Sequence, residues 1–309
     1  MNKKRISIVV PIYNEEKNIR ILYELIQELF ANLNYDWELI FVNDGSSDTS
    51  FDILAKLTKE DSQVKVIHFT RNFGQQAAFM AAFDFATGDA VISLDADLQD
   101  PPELIPLMCE QWESGFEVVY ARRKKRKDKF LKKYFARKFY RFQSTLSTIN
   151  IPKDVADFRL IDKKVLQELK GMKEYAKFVR GMIPWLGFKH TFIEHDRPLR
   201  KHGKTGYTFT KNYKLALDGL LGFSNLPLRM SLFLGVSMIF TTSLGLIGMI
   251  LGSLFFEIGF SNLTWWGTVI LSILGFQFIL IWVLGEYIAR IFEQVKQRPV
   301  YVIQKKMNL

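Results

Sequence analysis

Three carboxylates leave one short stretch together: Asp95, Asp97 and Asp100 in Asp95-Ala96-Asp97-Leu98-Gln99-Asp100-Pro101-Pro102. The stretch follows an apolar run, Ala90 to Leu94, whose length and composition predict a buried strand. Pro101, Pro102 and Glu103 after it suit the first turn of a helix. Acidic side chains at the carboxyl end of a strand sit where open α/β sheets hold their ligands. They repel one another unless positive charge lies between them. A hard divalent cation with oxygen ligands, Mg2+ or Mn2+ bringing a diphosphate, answers that need. Taken alone, D-x-D spacing fits a helix cap with a solvated acidic turn equally well, so the surrounding chain has to decide.

The elements that would position these carboxylates can be read in order. Ile6 to Pro11 predicts a first strand, and Ile19, Leu22, Leu25, Ile26 and Leu29 follow at helical spacing. Trp37 to Val42 predicts a second strand ending in Asn43-Asp44-Gly45-Ser46-Ser47-Asp48, a turn and helix-start signature. Val64 to Phe69 and Glu117 to Ala121 complete the strand set around Ala90 to Leu94, with an Ala-rich helix from about Gln75 to Ala86. Such alternation predicts an α/β fold with a mostly parallel sheet covered on both faces. No G-x-G-x-x-G follows the first strand and no phosphate-binding P-loop occurs, which disfavours dinucleotide and P-loop folds.

The ordered set V-V-P-I-Y-N-E-E, V-N-D-G-S-S-D, R-N-F-G-Q-Q-A-A and L-D-A-D-L-Q-D-P-P-E resembles the second family of inverting nucleotide-sugar glycosyltransferases, which have a Rossmann-like GT-A fold. Within it the resemblance is to the polyprenyl-phosphate branch, the dolichyl-phosphate mannose synthases and bactoprenol glucosyltransferases. No Q-x-x-R-W motif of the processive polysaccharide synthases is present. The resemblance implies that Pro11, Tyr13, Glu15, Val42 and Asp44 hold uridine, with Arg71, Asp95 and Ala96 on the nucleotide-sugar. Tyr13 is suited to packing on a base and Asp44 to accepting from base or ribose; Asp44 as a plain turn former and Arg71 as a loop anchor are the alternatives. Asp95, Asp97 and Gln99 match the metal side of that site, with Mg2+ or Mn2+ as cofactor.

From Arg122 to Arg141 the chain is dense in Lys and Arg with interleaved aromatics, and Phe135, Phe139 and Phe142 fall at helical spacing. This suggests an amphipathic helix with a cationic face for an anionic membrane and an acceptor phosphate; a solvated charge run is the bland alternative, and no nucleic-acid module accompanies it. By resemblance Arg122 contacts the diphosphate or lipid phosphate, with Arg126, Lys133 and Arg137 beside it. Asp157-Phe158-Arg159-Leu160 resembles the D-F-R-L of bactoprenol glucosyltransferases, whose Asp lies at the acceptor site. Asp157 is thereby expected as base or acceptor-orienting group with Asp97 and Arg122 in the catalytic set, and Arg159 at the acceptor; a buried Asp–Arg pair is the alternative. Arg200-Lys201-His202-Gly203-Lys204 resembles a loop closing over the diphosphate. Arg200 matches it, and Lys204 stands in for a cation that many relatives carry where this chain has Gly206.

The single cysteine, Cys109, excludes an intrachain disulfide and suits a reducing compartment. The net charge of +10 favours anionic partners. The apolar run after the basic N-terminus stops at Pro11, too short for a signal peptide. Residues 231–256 and 258–285 carry no charge, and each run is long enough to span a bilayer. Basic residues on both outer flanks predict a hairpin with both ends cytosolic. The expected organisation is a cytosolic GT-A domain over 1–206, a juxtamembrane amphipathic segment over 207–228, a two-helix transmembrane hairpin over 229–290 and a basic tail over 291–309. The expected protein is a multi-pass enzyme of the bacterial cytoplasmic membrane. It moves glucose or N-acetylglucosamine from a UDP-sugar to undecaprenyl phosphate, as a homo-oligomer that the resemblance makes a tetramer, with no nucleic acid as partner. An enzyme of the same fold acting on a glycan or protein, and a non-catalytic membrane scaffold, are the rival readings.

Overall fold

Runs of β-branched and apolar residues bounded by turn formers become strands, and the amphipathic stretches between them become helices. The computed structural model describes residues 3–123, 155–172, 174, 178–195 and 261–309, with residues 244, 247, 248, 251, 254 and 255. The order begins β1 (Arg5–Ile12), α1 (Ile19–Ala31), β2 (Asp36–Asn43), α2 (Ser50–Glu60), β3 (Val64–Phe69), α3 (Gln75–Phe85) and β4 (Ala90–Ser93). A short turn of 3-10 helix (Pro102–Leu104) leads into α4 (Ile105–Glu113) and β5 (Val118–Arg123). The remaining described elements are β6 (Val155–Asp162), α5 (Lys163–Gly171), α6 (Val179–Trp185), β7 (His190–His195), α7 (Asn262–Val295) and β8 (Ile303–Met307).

The strands form one sheet in the order β7-β5-β6-β4-β1-β2-β3-β8. β4, β1, β2 and β3 are parallel neighbours, as expected from the alternating pattern. β6 runs antiparallel between β4 and β5, and β8 antiparallel along β3, so the sheet is mixed. β1 lies at the centre and is buried on both faces, with Ile6, Ile8, Val9, Val10 and Ile12 wholly enclosed. Helix α1 covers one face with Ile19, Leu22, Tyr23, Ile26 and Phe30, the stripe that its periodicity predicts. Each fully buried side chain of this size contributes about 1.5–3 kcal/mol.

One polar knot interrupts the core. The buried carboxylate of Glu38 accepts Lys65 Nζ at 2.6 Å and the Thr87 amide at 2.7 Å, and it takes the Ser7 hydroxyl as well. Ser7 Oγ in turn accepts the Gly88 amide at 2.8 Å, fixing the turn before β4. Burial pushes the Glu38 pKa up, but Lys65, Ser7 and Thr87 together pull it below the usual carboxylate range. A depressed folded-state pKa adds stability that is present above the unfolded value, about 4.3, and lost as the pH falls through the folded value. Glu38→Gln is expected to flatten the acid limb of stability below about pH 4.5, as measured by urea denaturation across pH.

The segment 291–309, expected as a basic tail, is built differently. Helix α7 runs on to Val295, and Ile303–Met307 joins the sheet as its edge strand. The pairing is Val66 with Met307, Ile67 with Lys306 and His68 with Lys305. Asn308, with φ +58°, directs its side-chain amide to the carbonyls of Thr58 at 2.8 Å and Val64 at 2.9 Å. The Tyr301 ring stacks on Phe69, and its hydroxyl donates to Asp84 at 2.7 Å. Asn308→Ala removes side-chain bonds to the carbonyls of Thr58, Asp61 and Val64 and disfavours the left-handed backbone. The expected loss is about 1–3 kcal/mol, read as faster amide exchange along β3 and β8.

The chain divides into two units, one of residues 1–145, 149–219 and 298–309, the other of 146–148 and 220–297. Within the second unit, α7 is 34 residues long. Its Trp266, Ile270, Ile273, Ile281 and Trp282 are each more than half exposed. Judged on the described residues alone, no helix is long and apolar enough to cross a membrane. The full sequence of α7 nevertheless has no Asp, Glu, Lys or Arg from Leu263 to Gly285. The juxtamembrane segment 207–228 lies outside the described residues, as does the first expected span apart from a few isolated positions.

Candidate active site

The carboxyl ends of β1 and β2 are stitched into one platform. Pro11 and Val42 are register partners. The Asp44 amide donates to Ile12 O at 2.8 Å, and Asn14 Oδ1 accepts the Ser47 amide at 2.8 Å. Tyr13 stands on this platform 49% exposed, open to stack on a planar group. Glu15 is tied down, its amide donating to Ser50 Oγ and its carboxylate accepting Asn18 Nδ2 at 2.6 Å.

Asp44 is buried, and its carboxylate accepts the Phe73 amide at 2.6 Å and the Gly74 amide at 2.9 Å. It therefore caps the R-N-F-G loop at the start of α3, and any ligand contact uses its remaining lone pairs. Arg71 is exposed, lies over the Phe73 ring at 4.1 Å and donates to Asn72 O. Gly45, at φ +66°, lets the two loops meet: a Cβ there would stand 2.5 Å from the Arg71 carbonyl carbon. Gly45→Ala combines that clash with left-handed backbone strain. A stability loss of about 1–3 kcal/mol is expected in chemical denaturation.

The acidic stretch closes the platform. Asp95 is half-buried and its Oδ1 accepts Gln75 Nε2 at 2.6 Å. Ala96, Asp97 and Asp100 are buried, and Asp97 Oδ1 accepts the Gln99 amide at 3.0 Å. Between them Leu98 has φ +57°, a strained conformation for a bulky residue and one typical of functional loops. Burial drives the Asp95 pKa well above the carboxylate range, and the nearby charges of Asp100, Asp157 and Asp97 add to it; Arg180 offsets part. Asp95, Asp97, Asp100 and Asp157 thus gather negative charge in one place, with Arg180 beside it. Among the described residues no group of three His, Cys, Asp or Glu is gathered tightly enough to hold an ion by itself. The donor set fits Mg2+ or Mn2+ in the way that uses one or two carboxylates and completes the shell with phosphate oxygens and water. Asp95 and Asp97 are the fitting ligands.

Beside these carboxylates, β6 carries Asp157 with its side chain wholly buried. Its register against β4, Arg159 opposite Ser93, sets Asp157 just past the end of that strand. Ser93 Oγ donates to the Asp157 carbonyl at 2.5 Å. The carboxylate holds two guanidinium groups, Arg159 Nη2 at 2.6 Å and Arg180 through Nη2 at 2.6 Å and Nε at 3.0 Å. Burial lowers the Arg159 pKa against the pull of Asp157, yet a guanidinium stays charged in proteins. So neutralised, Asp157 is suited to orienting cations rather than to taking a proton.

Arg122, on β5, pairs with Glu194 at 2.7 Å and lies 4.6 Å over the Phe192 ring, an arrangement held at the margin of the sheet. Arg126, Lys133, Arg137, Arg200 and Lys204 lie outside the described residues. Sequence reasoning missed Arg180, Gln75 and Ser93. Gln75 falls inside the R-N-F-G-Q-Q-A-A motif, and its spacing after Asp44 and before Asp95 was the available signal. Arg180 has no motif around it.

The family model described as Glycosyl transferase family 2 matches residues 7–170. The chain is 44% identical to the protein named "Uncharacterized glycosyltransferase YkcC" of Bacillus subtilis, over 98% of this chain and 94% of that one. It is 38% identical to the bactoprenol glucosyl transferase of Shigella phage SfII, over 97% of this chain and 98% of the relative. Among solved structures, mannosyl-3-phosphoglycerate synthase from Rubrobacter xylanophilus superposes with a TM-score of 0.52 at 15% identity, covering 71% of this chain and 73% of that one, which is a likeness of fold.

Proposed function

The chain belongs to glycosyl transferase family 2, and we propose that it is a membrane-anchored inverting enzyme transferring a hexose, glucose or N-acetylglucosamine, from a UDP-sugar to undecaprenyl phosphate. Its nearly full-length similarity to a bactoprenol glucosyl transferase supports the acceptor and favours glucose. The observation that carries the reading is the cluster of Asp95, Asp97, Asp100 and Asp157 at the carboxyl end of β4, with Arg159 and Arg180 against it. That is a site for a diphosphate leaving group on one side and an anionic nucleophile on the other.

Each residue then has a task. Tyr13 offers a face to the uracil, and Asp44 fixes the loop behind it. Asp95 and Asp97 would hold Mg2+ or Mn2+, which when bound neutralises charge developing on the departing UDP. A phosphate monoester has its second pKa near 6, so its attacking oxygen is largely anionic at pH 7 without a base. That oxygen bonds to the anomeric carbon as the carbon–diphosphate bond breaks on the opposite face, giving inversion and free UDP. Asp157 brings Arg180 to the acceptor side and keeps Arg159 paired behind it. The apolar exposed side chains of α7 and the uncharged run 231–256 would anchor the enzyme beside its lipid, with the catalytic unit and both termini cytosolic and the enzyme a homo-oligomer.

The experiment is direct. Membranes containing the enzyme, given undecaprenyl phosphate and labelled UDP-glucose or UDP-N-acetylglucosamine, are expected to place label in a lipid cleaved by mild acid, with one UDP released per sugar. Label in protein or in polymer with none in lipid would favour the rival acceptors. No UDP release with any donor would favour a scaffold.

A further inference from the structure

Arg180 stands on α6, and α6 is held from α3. The Gln76 side-chain carbonyl accepts the Val179 amide at 3.1 Å, one residue before Arg180. The adjacent Gln75 donates to Asp95 at 2.6 Å. Neighbouring side chains of one helix therefore fix both the first carboxylate of the acidic stretch and the element that brings a cation toward it. The guanidinium of Arg180 meets Asp157 with two nitrogens and also acts on Asp95. It thus stands on the carboxylate expected on the acceptor side and adds positive charge near one expected on the donor side.

The two arginines on Asp157 differ in one decisive respect. The Arg159 side chain is 1% exposed, whereas that of Arg180 is 29% exposed. Arg159 is a fixture of the core; Arg180 can be reached from outside. A guanidinium fork that fits a carboxylate with two parallel N–H···O bonds fits a phosphate in the same way. A phosphate monoester near pH 7 carries more charge than a carboxylate and competes well for that fork.

We propose that Arg180 receives the acceptor's phosphate, its fork exchanging the Asp157 carboxylate for the incoming phosphate monoester beside the sugar carried at Asp95 and Asp97. The inference rests on the acceptor reading of the preceding section. Asp157 keeps Arg159 when Arg180 turns away, so the exchange leaves no bare charge in the core. No covalent bond changes in this step. Its effect is to hold the nucleophilic oxygen in line with the anomeric carbon.

The test uses the full-length enzyme in detergent with UDP-glucose and a soluble short-chain prenyl phosphate, comparing wild type with Arg180→Gln and Arg180→Lys. Arg180→Gln is expected to raise the acceptor KM about 10- to 100-fold, with UDP affinity by calorimetry within about twofold of wild type. Arg180→Lys keeps a cation on Asp157 and guards against a fold defect. It is expected to retain the wild-type melting temperature and UDP affinity, yet to recover the acceptor KM only in part, because the fork is lost. An acceptor KM unchanged in both variants would overturn the proposal. So would UDP affinity falling in step with the acceptor KM, which would assign Arg180 to the donor. A wild type that transfers nothing to the prenyl phosphate would overturn the acceptor reading itself, and this inference with it.

Discussion

Replacing Asp97 with alanine is expected to lower sugar transfer about a thousandfold or more while the protein still folds. Asp97 is buried, and among its contacts its Oδ1 accepts the backbone amide of Gln99, two residues on. Losing that bond costs about 1 kcal/mol, far too little to unfold the domain. The charge, by contrast, is one of the two proposed to hold the ion at the leaving diphosphate, so the loss is expected in kcat. Asp95→Asn separates function from stability more sharply. Burial and the charges of Asp100, Asp157 and Asp97 disfavour an ionised Asp95 in the metal-free protein. The amide is therefore expected to raise the denaturation midpoint measured in chelator while abolishing transfer. Added Mn2+ should stabilise wild type and leave Asp95→Asn unmoved, by mass action on the folded state. Wild-type activity in either variant, or in excess chelator, would remove the metal from the account.

Asp157→Ala is the substitution expected to damage the fold most. It would strip the anion from between Arg159 and Arg180 and leave the buried Arg159 guanidinium uncompensated. Breaking a buried pair from one side costs about 3–5 kcal/mol, a large part of a domain's whole stability. Urea denaturation of the detergent-solubilised protein reads the loss. Asp157→Ala combined with Arg159→Met should regain much of it, since an apolar side chain of similar length replaces the stranded charge. A residue that served only as a proton acceptor would behave otherwise: its loss would lower kcat and leave the denaturation midpoint alone.

The parallel half of the sheet was legible in the sequence because its strands are short apolar runs punctuated by turn residues. Ile6–Pro11, Trp37–Val42 and Val64–Phe69 each fall within an observed strand. The strands that run the other way were not. In β6, Val-Ala-Asp-Phe-Arg-Leu-Ile-Asp, a buried ion pair occupies one face, so the alternation that marks a strand is masked by Asp157 and Arg159. In β8, Ile-Gln-Lys-Lys-Met, two exposed lysines read as a solvated tail, although their ammonium groups lie over the Phe51 and Phe85 rings. The acidic stretch announced itself by composition, and the platform of Tyr13 and Asp44 by its turn chemistry. Arg180 did not, because an isolated arginine carries no spacing signal and its role exists only once β6 and α6 are brought side by side.

The clasp made by Ile303–Met307 has a bearing on biogenesis. Strand β3 leaves the ribosome early, but its outer partner is translated only after residues 70–302, the long greasy stretch included. Throughout that interval β3 offers an unsatisfied edge, the kind that recruits stray strands. Nascent chains stalled before Ile303 should accordingly hold on to chaperones and be degraded readily, and a bulky fusion joined directly after Leu309 should depress yield through misfolding even where it leaves the active site untouched.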